Sequence, residues 1–119
     1  MTSRPPLLRF AQALDLVDDP RLIAEYTQAH QKIWPAVRDH LRHYGILEME
    51  IYLLGTRLFM WVDADPAVFD PVAFARASAA SPVIAEWEQL MGQYQRPTPW
   101  TPAGTKWAPM DRIFSLMAQ

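Results

Sequence analysis

The sequence predicts an α+β fold of ferredoxin-like type, a split βαβ unit with the order β-α-β-β-α-β and helices on one face of an antiparallel sheet. Three observations predict it. The chain has 119 residues, half of them apolar and a fifth charged, which suits a single globular domain over residues 1–119. Two alternating segments flank Gly55-Thr56 and predict a hairpin. A helical pattern with a proline near its start lies on each side of that hairpin.

The N-terminal region predicts one strand and the start of a helix. Residues 7–16 mix apolar and polar side chains and form predicted strand one. Asp19 is a favourable N-cap, and Pro20 is tolerated at the first helical position. Side chains that recur at three- and four-residue spacing then share one helical face: Ile23, Tyr26, His30, Ile33, Trp34, Val37 and Leu41.

This helix is predicted to break near Pro35. Proline cannot donate a backbone hydrogen bond and disfavours the α conformation of Trp34, so the helix should stop just after Ile33. The helical pattern resumes over residues 35–44. Gly45 then supplies the left-handed conformation that commonly ends a helix.

The hairpin is predicted to be amphipathic, with strand two over residues 46–54 and strand three over residues 57–63. The apolar face expected beneath the helices consists of Leu47, Met49, Ile51, Leu53, Leu58, Met60 and Val62. The opposite face carries Tyr52, Phe59 and Trp61, which are too aromatic to leave in water. Sheet-to-sheet pairing of two copies would cover them, so we predict a homodimer, a dimeric α+β barrel.

The second half predicts a short helix, a longer helix, a loop and a final strand. The Ala-rich stretch after Asp70-Pro71 is expected to form one or two helical turns. Ser81-Pro82 starts a stronger helix that ends near Gly92, and its apolar face consists of Val83, Trp87, Leu90 and Met91. Three prolines between residues 97 and 102 indicate a loop, and residues 106–117 predict strand four.

The composition disfavours several classes of partner. The net charge of −2 and the lack of a Lys/Arg cluster disfavour nucleic acid. A chain without cysteine has no disulfide and no thiolate nucleophile, which fits the reducing cytoplasm. The start, Met1-Thr-Ser-Arg-Pro-Pro, lacks a secretory apolar region, and no apolar run approaches the roughly 20 residues that span a bilayer. We expect a small-molecule or protein partner and no membrane contact.

No cofactor and no metal are expected. The chain has no Gly-rich phosphate loop, which disfavours phosphoryl transfer and dinucleotide chemistry. His40 and His43 are three residues apart but lack a third ligand, so a solvated helix face explains them better than a metal. Glu48 and Glu50 share a strand face, and a partly exposed strand edge explains them as well as a carboxylate pair does.

The pair Tyr26 and His30 is the strongest candidate for chemistry. The two side chains lie one helical turn apart, so a ligand that reaches them would sit between the first helix and the sheet in a mostly dry pocket. A neutral histidine there can accept and donate protons near pH 7. From spacing alone, simple core packing is favoured by about two to one. Trp34 and Trp87 fill volume by default, although an aromatic face also stacks on a sugar ring.

A longer motif resembles a known family. The stretch Tyr26-Thr-Gln-Ala-His30-Gln-Lys-Ile33-Trp34-Pro35 is similar to the Tyr-x-x-x-His-x-x-Ile/Val-Trp-Pro signature of the L-rhamnose mutarotase family, which includes related L-fucose mutarotases. The similarity continues through both hairpin strands and the helix that contains Trp87, so it covers nearly the whole chain. The resemblance implies a small ferredoxin-like domain that pairs into a dimeric α+β barrel.

The resemblance also implies roles for individual residues. His30 would be the general acid/base, and Tyr26 and Trp87 would contact the sugar. At two sugar-binding positions the chain departs from rhamnose-specific members, with Met49 in place of a tyrosine and Glu88 in place of a second tryptophan. A carboxylate accepts hydrogen bonds from hydroxyls, so the pattern favours another 6-deoxyhexose, with L-fucose the natural candidate.

The resemblance implies a monosaccharide mutarotase that needs no cofactor. Ring opening requires one proton to leave the anomeric hydroxyl and one to reach the ring oxygen, and one histidine close to both serves in both directions. We hypothesise that His30 moves the proton, that Tyr26 orients or assists, and that Trp34 and Trp87 wall the pocket. Two other hypotheses stay open: a non-catalytic ligand-binding or regulatory dimer, and a cofactor-free monooxygenase on the same dimeric barrel.

Overall fold

A computed structural model describes residues 6–119. Residues 1–5, which hold most of the segment examined for a secretory signal, lie outside the described part. The helices are α1 (Pro20–Gln31), α2 (Pro35–His43), α3 (Pro71–Ala80) and α4 (Pro82–Gly92). The strands are β1 (Leu8–Leu16), β2 (Ile46–Leu54), β3 (Arg57–Ala64), β4 (Gln95–Arg96) and β5 (Ala108–Pro109), and a 3₁₀ turn covers Leu116–Ala118.

The strands form one antiparallel sheet in the order β2-β3-β1-β4, with β5 also paired to β1. Strand β1 is central and pairs with β3 from Leu8 opposite Ala64 to Asp15 opposite Arg57. The chain therefore enters the sheet in the middle, leaves through α1 and α2 to the far edge, and returns through the hairpin. This connectivity confirms the predicted ferredoxin-like α+β fold.

The predicted helix break at Pro35 is confirmed. The side chain of Asp19 accepts hydrogen bonds from the backbone N–H groups of Arg21 and Leu22 and so caps α1. Helix α1 ends at Gln31, and Trp34 has an extended conformation, with φ −59° and ψ 133°, directly before the proline that begins α2. The break turns the chain so that two shorter helices follow the surface of the sheet.

The start of β2 corrects one prediction. Gly45 has φ +96°, as expected for the end of a helix, and a Cβ atom there would lie 2.9 Å from the backbone nitrogen of Phe69. The register then shifts between Ile46 and Glu48, which indicates a β-bulge. Because the bulge inserts a residue, Ile46 is buried on the helix face while Leu47 is 57% exposed. The placement of Leu47 beneath the helices was therefore wrong.

The core lies between the helices and one face of the sheet. Side chains opposite each other in an antiparallel register share a face, so β1 and β3 present a common apolar layer to the helices. The main cluster of buried side chains consists of Leu16, Tyr26, Val37, Leu58, Ile84, Trp87, Met91 and Tyr94. A second cluster toward β2 consists of Ile46, Met60, Val62 and Ala64. The predicted apolar face of α4 is confirmed by the burial of Trp87 and Met91.

The Ala-rich stretch is more helical than predicted. Helix α3 has ten residues, close to three turns instead of the one or two expected. The side chain of Asp70 caps it by accepting hydrogen bonds from the backbone N–H groups of Val72 and Ala73. Alanine has the highest helix propensity, and a well-formed cap lets that propensity extend over the whole stretch.

Predicted strand four over residues 106–117 was wrong as a single element. Two short strands share the fourth position in the sheet: Gln95 lies opposite Leu16 in β4, and Ala108 lies opposite Ala13 in β5. Beyond Pro109 the apolar side chains do not face the core, and Ile113 is 96% exposed. Apolar composition there does not reflect strand pairing within one chain.

The sheet face away from the helices carries the aromatic side chains that the hairpin predicted. Tyr52 is 55% exposed and Phe59 is 37% exposed, with their ring centroids 6.3 Å apart. Across β1 and β3, Arg9 donates two hydrogen bonds to the carboxylate of Asp63 and lies 5.0 Å from the ring of Trp61. The guanidinium holds the pKa of the Asp63 carboxyl below its usual range. This face combines exposed rings with internally paired charges.

Candidate active site

A cavity of about 740 Å³ lies between the helices and the sheet. Its wall is mostly apolar, and its volume lies in the range typical of small-molecule sites. The polar side chains on the wall are few: Gln12, Tyr26, His30, His40, Ser78, Glu88 and Gln95. Tyr26 and His30 lie at one end with Glu88 and Gln95, whereas His40 and Ser78 lie toward α3.

His30 projects from the last turn of α1 into this cavity. Its Nδ1 lies 2.8 Å from the backbone carbonyl oxygen of Tyr26. A carbonyl oxygen can only accept, so in the neutral ring Nδ1 carries the proton and Nε2 carries the lone pair. No group of residues 6–119 is hydrogen-bonded to Nε2. The ring nitrogen farther from the main chain is thus available to act as a base.

Tyr26 lies next to this imidazole, with the two ring centroids 4.3 Å apart. It is only 3% exposed, and its hydroxyl accepts a hydrogen bond from Nε2 of Gln95 at 3.5 Å. Burial raises the pKa of the Tyr26 phenol, and the negative charge of Glu88 raises it further, although the bond from Gln95 opposes this. Near neutral pH the phenol keeps its proton and can donate it to a ligand oxygen.

Two tryptophans lie near His30: Trp87 packs against the imidazole, and Trp34 packs against Trp87. Trp87, on α4, lines the cavity with its ring centroid 5.6 Å from that of His30 in an edge-on arrangement. Trp34 packs edge-on against Trp87, with the two ring centroids 5.1 Å apart. Of the two, Trp87 lines the cavity, whereas Trp34 is not among the residues that line it. The predicted pocket-wall role of Trp34 stays a prediction.

Met49 and Glu88, the two positions expected to differ from rhamnose-specific members, also line the cavity. Met49 contributes an apolar surface from β2, and Glu88 contributes a carboxylate from α4. The Nζ of Lys106 donates a hydrogen bond of 3.1 Å to one oxygen of Glu88. The structure therefore brings His30, Tyr26, Trp87, Met49 and Glu88 to one cavity.

Sequence reasoning missed Gln95 and Lys106. Gln95 lies in β4, a strand of only two residues, and it reaches the site because it pairs with the end of β1. Lys106 follows the proline-rich loop and reaches back to α4. Neither residue stands in a periodic pattern with His30. Only the sheet register, which the sequence does not reveal at such short strands, could have indicated them.

The opposite end of the cavity holds His40. Its Nε2 lies 3.0 Å from Oγ of Ser78, and that hydroxyl donates to the carbonyl oxygen of Phe74 at 2.8 Å. The hydroxyl proton is thus engaged, so His40 donates from Nε2. Aromatic rings of Tyr44 and Phe74 flank the imidazole at 5.0 and 5.6 Å. Burial lowers the pKa of His40, and neighbouring His43 lowers it further.

The described residues provide no metal centre. Nowhere in residues 6–119 do three or more histidine or acidic side chains come together in a group that could hold a metal ion. One oxygen of Glu48 accepts a hydrogen bond from the N–H of Met49, and Glu50 accepts one from the hydroxyl of Tyr52. None of the helices in this part of the chain is long and apolar enough to cross a membrane.

Comparison with known families decides how the site is classified. The sequence model of the family described as L-rhamnose mutarotase matches residues 9–116. This range includes every candidate site residue named above. The chain belongs to the L-rhamnose mutarotase family. This is a family of isomerase-class enzymes that act on carbohydrates.

Two relatives resemble this L-rhamnose mutarotase family member over most of their length. An L-fucose mutarotase of Xanthomonas campestris pv. campestris is 40% identical over 110 residues, covering 91% of this chain and 87% of the relative. A UPF0734 protein of Dictyostelium discoideum is 41% identical over 111 residues, covering 90% of this chain and 88% of the relative. Family membership and these relatives support mutarotase activity on a sugar.

Two solved structures share the fold at low sequence identity. An L-rhamnose mutarotase from Formosa agariphila has a TM-score of 0.68 and 18% identity, covering 92% of this chain and 98% of that structure. Tetracenomycin F2 cyclase from Streptomyces glaucescens, a type-II polyketide cyclase, has a TM-score of 0.52 and 17% identity, covering 91% and 97%. At such identities the likeness concerns the fold, which agrees with the ferredoxin-like architecture.

Proposed function

We propose that this protein interconverts the α and β anomers of a 6-deoxyhexose by acid/base opening and reclosure of the sugar ring. The observation that carries the proposal is the state of His30. Its Nδ1 is held by the Tyr26 carbonyl oxygen, and its Nε2 is free on the wall of a mostly apolar cavity. A histidine with one ring nitrogen available on the wall of a mostly apolar cavity suits a role as general acid/base.

In the proposed mechanism Nε2 of His30 removes the proton of the anomeric hydroxyl. The electron pair of that O–H bond forms the C1 carbonyl, and the bond between C1 and the ring oxygen breaks. The ring oxygen keeps the pair of the broken bond and takes the proton from the imidazolium. Half a turn about C1–C2 presents the other face of the aldehyde, and the reverse steps close the ring. The sugar is neither oxidised nor reduced, so the reaction needs no redox partner.

The neighbours of His30 would bind and orient the sugar. The Tyr26 phenol stays protonated because burial raises its pKa, so it can donate a hydrogen bond to a sugar oxygen. Trp87 offers an indole for the apolar side of the ring, and Trp34 supports it from behind.

L-Fucose is the substrate that we favour over L-rhamnose. The Xanthomonas relative, at 40% identity, is named an L-fucose mutarotase. In this chain Met49 and Glu88 also line the cavity at the two positions where rhamnose-specific members are expected to carry aromatic residues. A carboxylate accepts hydrogen bonds from sugar hydroxyls, whereas an indole ring offers an apolar face, so the two versions of the site select different hydroxyl arrangements.

Saturation-transfer NMR tests the proposal directly. Saturating the α-anomer signal of L-fucose or L-rhamnose should reduce the β-anomer signal faster with the protein than without it, and the effect should be larger for L-fucose. Heat-denatured protein at the same concentration is the control. Exchange of both sugars at the spontaneous rate would show that the protein is not a mutarotase for them, and faster exchange of L-rhamnose would reverse the substrate assignment.

We also propose that two copies pair through the open sheet face. Tyr52, Phe59 and Trp61 lie on this face, and the exposure of the first two is 55% and 37%. Pairing about a two-fold axis would bury these rings, and the Arg9–Asp63 ion pair already neutralises the adjacent charges. Light scattering should give twice the chain mass, and Phe59→Lys should yield the monomer mass. A monomer mass for the unaltered protein would contradict the proposal.

A further inference from the structure

One polar atom near the proposed active site has no role in the mechanism described so far. Among residues 6–119, Oε1 of Gln95 is the single buried side-chain nitrogen or oxygen that lacks a hydrogen-bond partner. Buried polar groups in folded proteins are nearly always paired, so an unpaired one requires an explanation. Gln95 also lines the cavity that contains His30.

The position of Gln95 places it within the group around His30. Its Nε2 donates to the Tyr26 hydroxyl at 3.5 Å, and the Tyr26 ring lies against the imidazole of His30. The backbone of Gln95 is held by antiparallel pairing with Leu16 at the end of β1. The amide is therefore attached to the rigid sheet, and its free oxygen belongs to the same end of the cavity as the candidate base.

We propose that Gln95 is a sugar-binding residue whose Oε1 accepts a hydrogen bond from a ring hydroxyl on C2, C3 or C4 of the substrate. The proposal rests on the proposed mutarotase function and deepens it by adding a contact to the bound sugar. The terminal torsion of glutamine is soft, so the amide can adjust to a ligand without movement of the backbone. A sugar hydroxyl would then supply the partner that the protein itself does not provide.

This assignment explains why an amide suits the position. The amide nitrogen donates to Tyr26, and the amide oxygen accepts from the sugar, so both ends of one side chain are used. The phenol accepts from Gln95 and remains free to donate its own proton. Gln95 would thus select a hydroxyl donor at one carbon of the sugar and also hold the phenol that lies beside His30.

The test is a coupling experiment between protein and sugar. Anomer exchange is measured as kcat/KM for L-fucose and for its 2-deoxy, 3-deoxy and 4-deoxy analogues, with the wild-type protein, Gln95→Met and Gln93→Leu. Methionine has nearly the shape of glutamine but accepts hydrogen bonds only weakly. Gln93 is exposed just after the end of α4, so Gln93→Leu is a matched control.

We expect the loss of kcat/KM from the Gln95 substitution and the loss from removing one sugar hydroxyl not to add, because both changes remove the same hydrogen bond. Gln95→Met should lower kcat/KM for L-fucose about tenfold, in line with a lost hydrogen bond, and Gln93→Leu should not change it. One deoxy analogue should show a similar loss with the wild-type protein but little further loss with Gln95→Met. If Gln95→Met lowers kcat/KM by the same factor for all four sugars, the amide is structural and the proposal is wrong.

A replacement variant and a check on the wild-type activity separate misfolding and lack of mutarotase activity from a failure of the Gln95 proposal. If Gln95→Met does not fold, Gln95→Glu replaces it, because a carboxylate still accepts from the hydroxyl and should keep the discrimination between L-fucose and that analogue. Loss of discrimination in a folded Gln95→Glu protein would contradict the proposal. Wild-type protein that exchanges neither L-fucose nor L-rhamnose would overturn the mutarotase function itself, whereas exchange without coupling overturns only the role of Gln95.

Discussion

His30 and His40 stand on consecutive helices and line the same cavity, yet their surroundings differ. His30 donates from Nδ1 to a carbonyl oxygen of its own helix and presents Nε2, the nitrogen far from the main chain. His40 uses that outer nitrogen on Ser78, whose hydroxyl is bonded in turn to the backbone of α3. Burial alone therefore does not distinguish a catalytic candidate from a structural histidine, whereas the hydrogen-bond partner of each ring nitrogen does.

The groups around each ring extend the comparison. At the His30 end a phenol, a carboxylate and an amide line the cavity, contributed by Tyr26, Glu88 and Gln95. At the His40 end the ring is flanked by the aromatic side chains of Tyr44 and Phe74. A sugar needs several hydrogen-bonding partners to be held in one orientation, and the His30 end offers more of them, since His40 and Ser78 are bonded to each other.

The largest expected effect comes from removing the outer ring nitrogen of His30. His30→Asn keeps a donor for the Tyr26 carbonyl oxygen but has no base at the position of Nε2. We expect it to lower kcat for anomer exchange by about 10²- to 10⁴-fold, the usual contribution of a general acid/base. The measurement is saturation-transfer NMR with L-fucose on folded protein.

His40→Gln is the matched variant for the other end, because its amide can still donate to Ser78. We expect its exchange rate to stay within about twofold of wild type, since general acid/base catalysis is assigned to His30 alone. Equal losses in the two variants would remove the distinction between the two ends of the cavity.

An intermediate effect is expected from the aromatic side chains. Trp87→Phe keeps an aromatic core residue but reduces the surface that can stack on a sugar, so KM for L-fucose should rise about two- to tenfold. Phe74→Leu, a change of similar size near His40, should leave KM unaltered. Kinetics on both variants, with their thermal unfolding measured in parallel, separates sugar binding from stability. A rise in KM for Phe74→Leu alone would place the sugar at the His40 end of the cavity and contradict the proposed site.

Much of the fold could be predicted because local patterns determine it. Alternation predicted both strands of the hairpin, and the chemistry of Pro35 predicted the break between α1 and α2. The bulge at Leu47 could not be predicted from this pattern. Alternation gives the side-chain period but not the position at which an extra residue interrupts it.

The candidate site also contains residues that the sequence could indicate and residues that it could not. Helical spacing placed His30 and Tyr26 on one face, but spacing alone favoured core packing, and the resemblance to the mutarotase family made them the candidates. Gln95 was missed because it approaches Tyr26 through pairing between β4 and the end of β1, a contact between segments far apart in the chain. Strand four was predicted in the wrong place for the same reason. Two-residue strands carry almost no periodic pattern, and their partners decide where they form.

The smallest expected effect concerns the pH dependence of stability. Burial and the nearby His43 lower the pKa of His40 below its ordinary value of 6.5, so in the folded protein the ring resists protonation. The unfolded chain then binds more protons below pH 6.5, and stability falls as the pH falls. His40 therefore contributes stability that is fully present above pH 6.5 and is lost as the pH decreases through the lower folded pKa.

His40→Gln removes this titration while keeping a donor for Ser78, so its melting temperature should fall less than that of wild type between pH 7.5 and about pH 5. Thermal unfolding at half-unit pH steps measures the effect, with His43→Gln as a second variant that removes only the smaller of the two causes. Parallel curves for wild type and His40→Gln would mean that His40 is as accessible to protons as in the unfolded chain. The difference between the two ends of the cavity would then rest on His30 and its neighbours alone.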